Sequence, residues 1–323
     1  MNKKILLIDD ELDVLFLLRK ILESDNYQLE SAMNAKEGLE KALSFKPDLI
    51  LLDIMLPEKS GFDFFQDLKK NKILNKKPII FLSAKSDSES KLKGLNLGAI
   101  DYITKPFNSR ELLVRIHNFF KITRLEQDLI KANKNLHKTY MNTIYGLGIA
   151  VEMNDPTTNG HCKRVSELAE KIGQNLGLKG KELEFLKIAA ILHDLGKVAI
   201  PSEILNKKGS LTKIEFEIIK THTVMGAQIL ESMKFSPKIV KGVLHHHEMH
   251  DGSGYPKGLS KNKIPLFAKI ISVVDAYDAI TTKRPYKKAR SKINAYKEIN
   301  KLSGKLYDPI VVDAFNEVIK NMK

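Results

Sequence analysis

Five short apolar runs, Ile5–Ile8, Gln28–Ala32, Leu49–Leu52, Ile79–Leu82 and Tyr102–Ile103, punctuate the first part of the chain. Between them apolar residues recur at three and four positions, as in Val14–Leu22 and Ala35–Ser44. The first pattern reads as buried strands and the second as amphipathic helices, and their alternation predicts a parallel sheet with helices on both faces. After that the period changes. Ile122, Leu125, Leu129, Ala132 and Leu136 step by three, four, three and four, and no proline or glycine interrupts Asn108 to Tyr145. So narrow a seam predicts a connector helix over 122–145 that pairs with a second copy, as a coiled coil does. The competing reading is one helix packed on its own neighbouring domains. Beyond Gly146-Leu147-Gly148 helical periods take over, predicting helices at Cys162–Leu176, Lys181–Leu195, Lys213–Met233, Pro237–His247, Pro265–Thr282 and from Pro309 onward. Strand patterns are absent there, so 146–323 is expected to be an all-α domain.

Composition agrees with this multidomain division. A chain of 323 residues exceeds what one core usually organises, and 43% hydrophobic with 28% charged residues suits a folded protein. The single cysteine, Cys162, excludes an intramolecular disulfide. Lys3-Lys4 leads into four apolar residues and then Asp9-Asp10-Glu11, which is no secretory signal, and no run approaches the roughly 20 apolar residues of a membrane span. A cytoplasmic protein without a membrane partner is expected. The net charge of +14 is uneven, with 20 basic against 18 acidic residues in 1–121 and 33 against 21 in 122–323. The excess in the second part fits an anionic substrate, and equally fits lysines on solvated faces. No helix-turn-helix signature accompanies it, so DNA binding is not expected.

Candidate chemistry in residues 1–121 stands where strands end, the place where open α/β sheets bind ligands. Asp9-Asp10 closes the first run, Asp53 the third and Ser83 the fourth, and Lys105-Pro106 follows the fifth. Carboxylates converging at one edge repel unless a cation sits among them, and an oxygen-only donor set suits Mg²⁺. These residues, with Asp53-Ile54-Met55-Leu56-Pro57 and Ser83-Ala84, resemble the receiver domain of bacterial two-component response regulators over the whole of 1–121. The resemblance implies a doubly wound five-stranded parallel sheet of order 2-1-3-4-5. It further implies that Asp53 accepts a phosphoryl group from a histidine kinase, with Asp10, Asp53 and the Met55 carbonyl holding Mg²⁺ and Asp9 assisting through water. Ser83 and Lys105 would bind phosphoryl oxygens, and Tyr102 would be the aromatic that turns inward on activation.

In the second part, polar residues interrupt segments too apolar to leave them unexplained. Phe185–Leu192 runs into His193-Asp194, another apolar helix ends in His246-His247, and Asp275 interrupts Ile270–Val274. Gly196 is read as a helix stop. A buried unpaired charge costs several kcal/mol, and a metal ion is the best compensation. Imidazole nitrogens with bridging carboxylates are the ligands of Mn, Fe, Co and Zn rather than of Mg²⁺ or Ca²⁺. His117, His137, His245 and His250 lack this context and are read as structural.

His161, His193-Asp194-Leu195-Gly196-Lys197, His222, His246-His247-Glu248, Asp251-Gly252-Ser253-Gly254-Tyr255-Pro256 and Asp275-Ala276-Tyr277-Asp278-Ala279-Ile280-Thr281, followed by Arg284-Pro285-Tyr286-Lys287, resemble the HD-GYP branch of the HD phosphohydrolases. Members of that family hydrolyse cyclic di-GMP to linear pGpG, and some continue to GMP, using Fe or Mn. The resemblance implies that His161, His193, Asp194 and Asp275 hold one ion, with Asp194 bridging to a second on His222, His246 and His247. It makes His193, Asp194 and Lys197 catalytic, and has Lys197, Tyr255, Arg284 and Lys287 meet the substrate. Gly254-Tyr255-Pro256 would shape the pocket and its contact with Lys197, and offer a surface to a diguanylate cyclase partner. Members with a third metal carry a glutamate four residues before the first ligand histidine. Thr157 stands there, so two metals are expected; Glu152, nine residues upstream of His161, approaches only if the intervening loop folds back. The alternatives are a catalytically weak or inactive cyclic di-GMP sensor or scaffold, and hydrolysis of another phosphate ester. Whether phosphorylation activates or inhibits is not written in the sequence.

Overall fold

The computed structural model describes residues 3–23, 25–84, 98–153, 160–207, 209–282 and 291–322. It divides into two compact units, Met1–Lys131 and Ala132–Lys323. In the first, strands β1 (Lys4–Ile8), β2 (Gln28–Ala32), β3 (Leu49–Asp53), β4 (Ile79–Ala84) and β5 (Asp101–Lys105) form a parallel sheet in the order β2-β1-β3-β4-β5. Successive side chains on a strand point to opposite faces, which is why continuous apolar runs fill two cores rather than one. Leu6, Ile8, Ile50 and Leu52 pack with Phe62 and Phe65 of helix α3 (Gly61–Lys70) and with Ala42 of helix α2 (Ala35–Phe45). Ile5, Leu7, Leu49 and Leu51 pack on the other face with Leu15, Leu18 and Leu22 of helix α1 (Leu12–Glu23). Truncating any of these leucines, isoleucines or phenylalanines to alanine is expected to destabilise by about 2–5 kcal/mol. Asn34 and Ser60 cap α2 and α3 by accepting from Glu37 N and Asp63 N.

Helix α4 runs unbroken from Ser109 to Met153, so the expected connector is the middle of a longer helix. Its first turns put Leu112 and Ile116 into the sheet's core, and its last put Ile144 and Val151, with Met141 and Tyr145 beside them, into the helical core. Packing at both ends carries the helix through Gly146 and Gly148, against their low helix propensity. Ile122, Leu125, Leu129 and Leu136 lie in solvent.

The second unit is helical: α5 (His161–Asn175), α6 (Gly180–Ile191), a 3₁₀ turn (Leu195–Ala199), α7 (Ser202–Leu205), α8 (Lys213–Lys220), α9 (His222–Ser232), α10 (Pro237–Leu244), α11 (Leu266–Thr281), α12 (Lys292–Lys301) and α13 (Pro309–Lys320). A single core gathers Val165, Ile172, Leu186, Val243, Ile271, Val274 and Phe315. The expected helix Lys213–Met233 breaks at Thr221, where Thr221 N bonds to Ile218 O three residues back and the Thr221 hydroxyl donates to the same carbonyl at 2.6 Å. Two other helices stop short of expectation, α6 before His193 and α10 before His246. In both cases the functional residues lie in the turn beyond the helix end. No helix among the described residues is long and apolar enough to cross a membrane.

Candidate functional site

At the C-terminal edge of the sheet, ligand atoms of Asp9, Asp10 and Asp53 all lie within 4.8 Å of one another. Strands β1 and β3 are neighbours in register, Ile8 opposite Leu52, which is what sets their terminal carboxylates side by side. Lys105 at the end of β5 reaches in, its Nζ 2.7 Å from Asp9 Oδ2 and 3.0 Å from Asp53 Oδ1. Burial pushes the Asp53 carboxyl up to about 6 although Lys105 opposes the shift, and burial raises Asp9 as well. Burial disfavours the Lys105 charge, but the bonds to Asp9 and Asp53 outweigh it and hold its pKa above the ordinary value. Met55 N donates to Asp53 Oδ2 at 3.2 Å, tying the loop after β3 to the carboxylate. The Ser83 hydroxyl is buried with no hydrogen-bond partner among the described residues, a group that a phosphoryl oxygen would satisfy. Tyr102 lies half-buried against the core. An all-oxygen donor set at this edge fits Mg²⁺.

The second cluster is built by helix ends. His193 follows α6, His222 opens α9, His246 and His247 follow α10, His161 opens α5, and Asp275 lies within α11. The ring orientations are fixed from behind. His193 Nδ1 is 2.9 Å from Ala190 O, His222 Nδ1 2.6 Å from Ile219 O, and His246 Nδ1 2.6 Å from Val243 O. His161 Nδ1 is 2.7 Å from Asp278 Oδ2. Carbonyl and carboxylate oxygens only accept, so in the neutral form of each of the four rings Nδ1 carries the proton and Nε2 the lone pair. Those Nε2 atoms face one another: His161 to His193 at 3.3 Å, His222 to His246 at 3.4 Å. Lone pairs so placed repel, and a cation between them turns repulsion into ligation.

The carboxylates complete the set. Asp275 Oδ1 is 3.5 Å from His161 Nε2. Asp194 Oδ2 is 3.5 Å from His193 Nε2, while its Oδ1 is 3.5 Å from His222 Nε2, so one carboxylate addresses both groups. Ligand atoms of His161, His193 and Asp275 cluster within 4.8 Å, and so do those of His222, His246 and His247. Burial lowers His222, takes His246 well below the ordinary imidazole range and His247 to about 3, so these rings are neutral, the form that ligates. Burial opposes the charge of Asp194, but Lys197, its Nζ 2.6 Å from Oδ2, holds that carboxyl well below its usual range. His161 moves the other way: burial opposes its charge, and Asp278 with Asp275 and Asp194 raises its pKa. The donor set of nitrogens and bridging oxygens fits transition-metal ions.

Two glycines allow the approach. Gly196 was expected as a helix stop, but it lies in the 3₁₀ turn, where a Cβ would sit 1.9 Å from the His222 carbonyl oxygen. Its absence of side chain brings Lys197 and Asp194 up to α9. At Gly254 a Cβ would meet His247 O and Met249 N at 2.4 Å. The loop that follows is held by Glu248, buried, whose oxygens accept from Lys257 N and Leu259 N at 2.8 Å each. Tyr255, joined to Pro256 by a cis peptide, lays its ring 4.9 Å from that of His247.

Comparison with known proteins matches residues 5–117 to the response regulator receiver domain and residues 149–311 to the HD domain. The cyclic di-GMP phosphodiesterase response regulator RpfG of Xanthomonas campestris pv. campestris is 32% identical over 325 residues, covering 96% of this chain and 86% of that protein. A cyclic di-GMP phosphodiesterase of Thermotoga maritima is 33% identical over 342 residues, covering 98% and 91%. The chain belongs to the receiver–HD response regulators. A 3'3'-cGAMP-specific phosphodiesterase 2 of Vibrio cholerae is 35% identical over 185 residues, which is 57% of this response regulator and 35% of that protein.

The structure of this response regulator brings together His161, His193, Asp194, Lys197, His222, His246, His247 and Asp275, and separately Asp9, Asp10, Asp53 and Lys105. Arg284, Lys287 and Thr157 lie outside the described residues. Glu152 does come beside His161, but as a cap: its carboxylate accepts from Gly160 N at 3.0 Å and from Cys162 N. Sequence reasoning quoted Asp278 and Glu248 within the signature without giving either a role, and did not name Arg164. The i, i+3 spacing of Asp275 with Asp278, and of His161 with Arg164, was the available signal.

Proposed function

We propose that this response regulator is a metal-dependent cyclic di-GMP phosphodiesterase of the HD-GYP type under the control of phosphorylation at Asp53. The observation that carries the reading is the set of Nε2 lone pairs turned inward with Asp194 addressing both groups. His161, His193, Asp194 and Asp275 would hold one ion, and Asp194, His222, His246 and His247 the other. When bound, such ions lower the pKa of coordinated water toward about 7 and offset charge growing on phosphorus. Fe or Mn fits the ligands.

The chain's own residues do the rest. Lys197 keeps Asp194 ionised, and its two oxygens, one toward His193 and one toward His222, would each be available to an ion. The Lys197 ammonium, partly exposed and 2.6 Å from Asp194 Oδ2, would add positive charge beside the ligands, where a phosphodiester would approach. Tyr255 offers an aromatic face beside His247, with Lys220 Nζ 5.5 Å from its ring centre, a surface for a base or a phosphate; Arg284 and Lys287 would add charge. In the receiver, Asp53 would take the phosphoryl group from a histidine kinase, with Mg²⁺ on Asp10, Asp53 and the Met55 carbonyl, Ser83 and Lys105 on its oxygens, and Tyr102 turning inward. The exposed seam of α4 would pair two copies. The Gly254-Tyr255-Pro256 loop is the candidate surface for a diguanylate cyclase.

Anaerobic purification with metal quantification, followed by product analysis on cyclic di-GMP, tests the reading. Two ions per chain with pGpG or GMP as product is expected; a metal-loaded protein that leaves cyclic di-GMP intact would make it a sensor or scaffold. The Vibrio cholerae relative favours 3'3'-cGAMP as a second substrate, and the same assay run on both dinucleotides decides between them.

A further inference from the structure

Of the four histidines whose Nδ1 partner is given above, three are turned by backbone carbonyls and one, His161, by a carboxylate. Asp278 is buried and doubly employed. Its Oδ2 takes His161 Nδ1, and the Arg164 fork grips both oxygens, Nε to Oδ1 at 2.5 Å and Nη2 to Oδ2 at 3.0 Å. The register explains the meeting. His161 and Arg164 are one turn apart on α5, Asp275 and Asp278 one turn apart on α11, and the two helices pack together. A residue pair three apart shares a helix face. The same face of α11 therefore gives the centre one carboxylate at His161 Nε2 and backs the same ring with another at Nδ1.

A carbonyl backing a ring offers a partial charge, whereas a carboxylate offers a full one and makes the opposite nitrogen a stronger donor. The His161–His193–Asp275 group thus holds an anionic ligand of its own and a carboxylate-backed imidazole. The His222–His246–His247 group holds three imidazoles, two of them backed only by carbonyls. We propose that Asp278, locked by Arg164, is a positioning residue that makes the His161–His193–Asp275 group the stronger of two unequal metal positions. The proposal rests on the reading that both groups hold metal. If Asp278–Arg164 were only a clamp between α5 and α11, its loss would lower stability and weaken both positions alike.

The test uses the full-length chain stripped of metal and titrated with Mn²⁺, followed by calorimetry and electron paramagnetic resonance. Wild type should bind two ions and show a spin-coupled pair. Asp278→Asn should keep one ion at wild-type affinity and bind the other about 10–100-fold more weakly, so that an uncoupled mononuclear signal persists at intermediate Mn²⁺. Arg164→Gln should weaken the same position by less, and serves where Asp278→Asn does not fold. Two ions bound as in wild type by both variants, or equal weakening at both positions, would overturn the role of Asp278. A wild-type chain that binds no pair of ions overturns the metal reading itself, whatever Asp278 does.

Discussion

The sheet edge and the helical centre both gather buried carboxylates, yet they neutralise them in opposite ways. Lys105 stands among Asp9 and Asp53 as a resident cation, within 3.0 Å of each. In the helical centre Lys197 lies 2.6 Å from Asp194, and burial keeps His222, His246 and His247 neutral. A resident lysine offsets part of that negative charge without a bound ion, an arrangement that would suit a charge that comes and goes, such as the phosphoryl group proposed for Asp53. Neutral imidazoles facing one another beside a carboxylate would suit an ion that stays. The same contrast separates a switch from a cofactor site.

The largest effect expected of a single substitution sharpens that contrast. Asp194→Asn should remove bound metal and reduce cyclic di-GMP turnover by on the order of 10³-fold or more. Asp53→Asn should abolish labelling by a small acyl phosphate and leave the metal content as it was. Normal hydrolysis by the Asp194 variant would end the two-metal account. Next in size, Lys197→Met should keep both ions and lower kcat by roughly 10²–10³-fold; a loss of metal instead would show Lys197 to be needed for assembly of the site. Gly196→Ala should destabilise the helical unit by about 1–3 kcal/mol, read as a lower midpoint in urea monitored by helical signal, without moving the receiver's transition.

The smallest effect, and the most direct contrast of the two regions, is with pH in metal-free protein. His247, neutral when folded and at about 3 against an ordinary 6.5, binds fewer protons folded than unfolded between those values. Its contribution to stability is present above about 6.5 and is lost as pH falls toward 3. Asp53, raised to about 6 from 3.8, binds more protons folded than unfolded in that window, so it favours the folded receiver as pH falls from 6 toward 4. Thermal melts across pH 4–7 should show slopes of opposite sign removed by His247→Gln and Asp53→Asn; unchanged slopes in both variants would refute the assignment.

Much of this was legible in the sequence because it depends on period and position. The strands appear where apolar runs occur, and Asp9, Asp53 and Lys105 meet because parallel strands align their ends. His193, His246 and His247 were legible because polar residues at the ends of apolar helices require a reason, whereas His161 and His222 came in only with the family resemblance. What was not legible depends on partners without a pattern. Ala190, Ile219 and Val243 orient three rings through carbonyls that every residue owns. Asp278 and Arg164 are separated by 114 positions and look like surface charges until α5 and α11 pack. Glu248 seemed an appendage of His246-His247, yet it is the buried anchor of the loop that follows.

The carbonyl contacts of His193, His222 and His246 have a consequence for how ions are acquired. Each ring takes a carbonyl three residues back, in the last turn of the helix that precedes it. The same last turn that ends a helix then also aims a ligand ring. Small zinc domains depend on their metal to fold; here hydrogen bonds to the carbonyls of α6, α8 and α10 also hold three of the rings. Ion supply and ligand preference then decide which metal the centre carries.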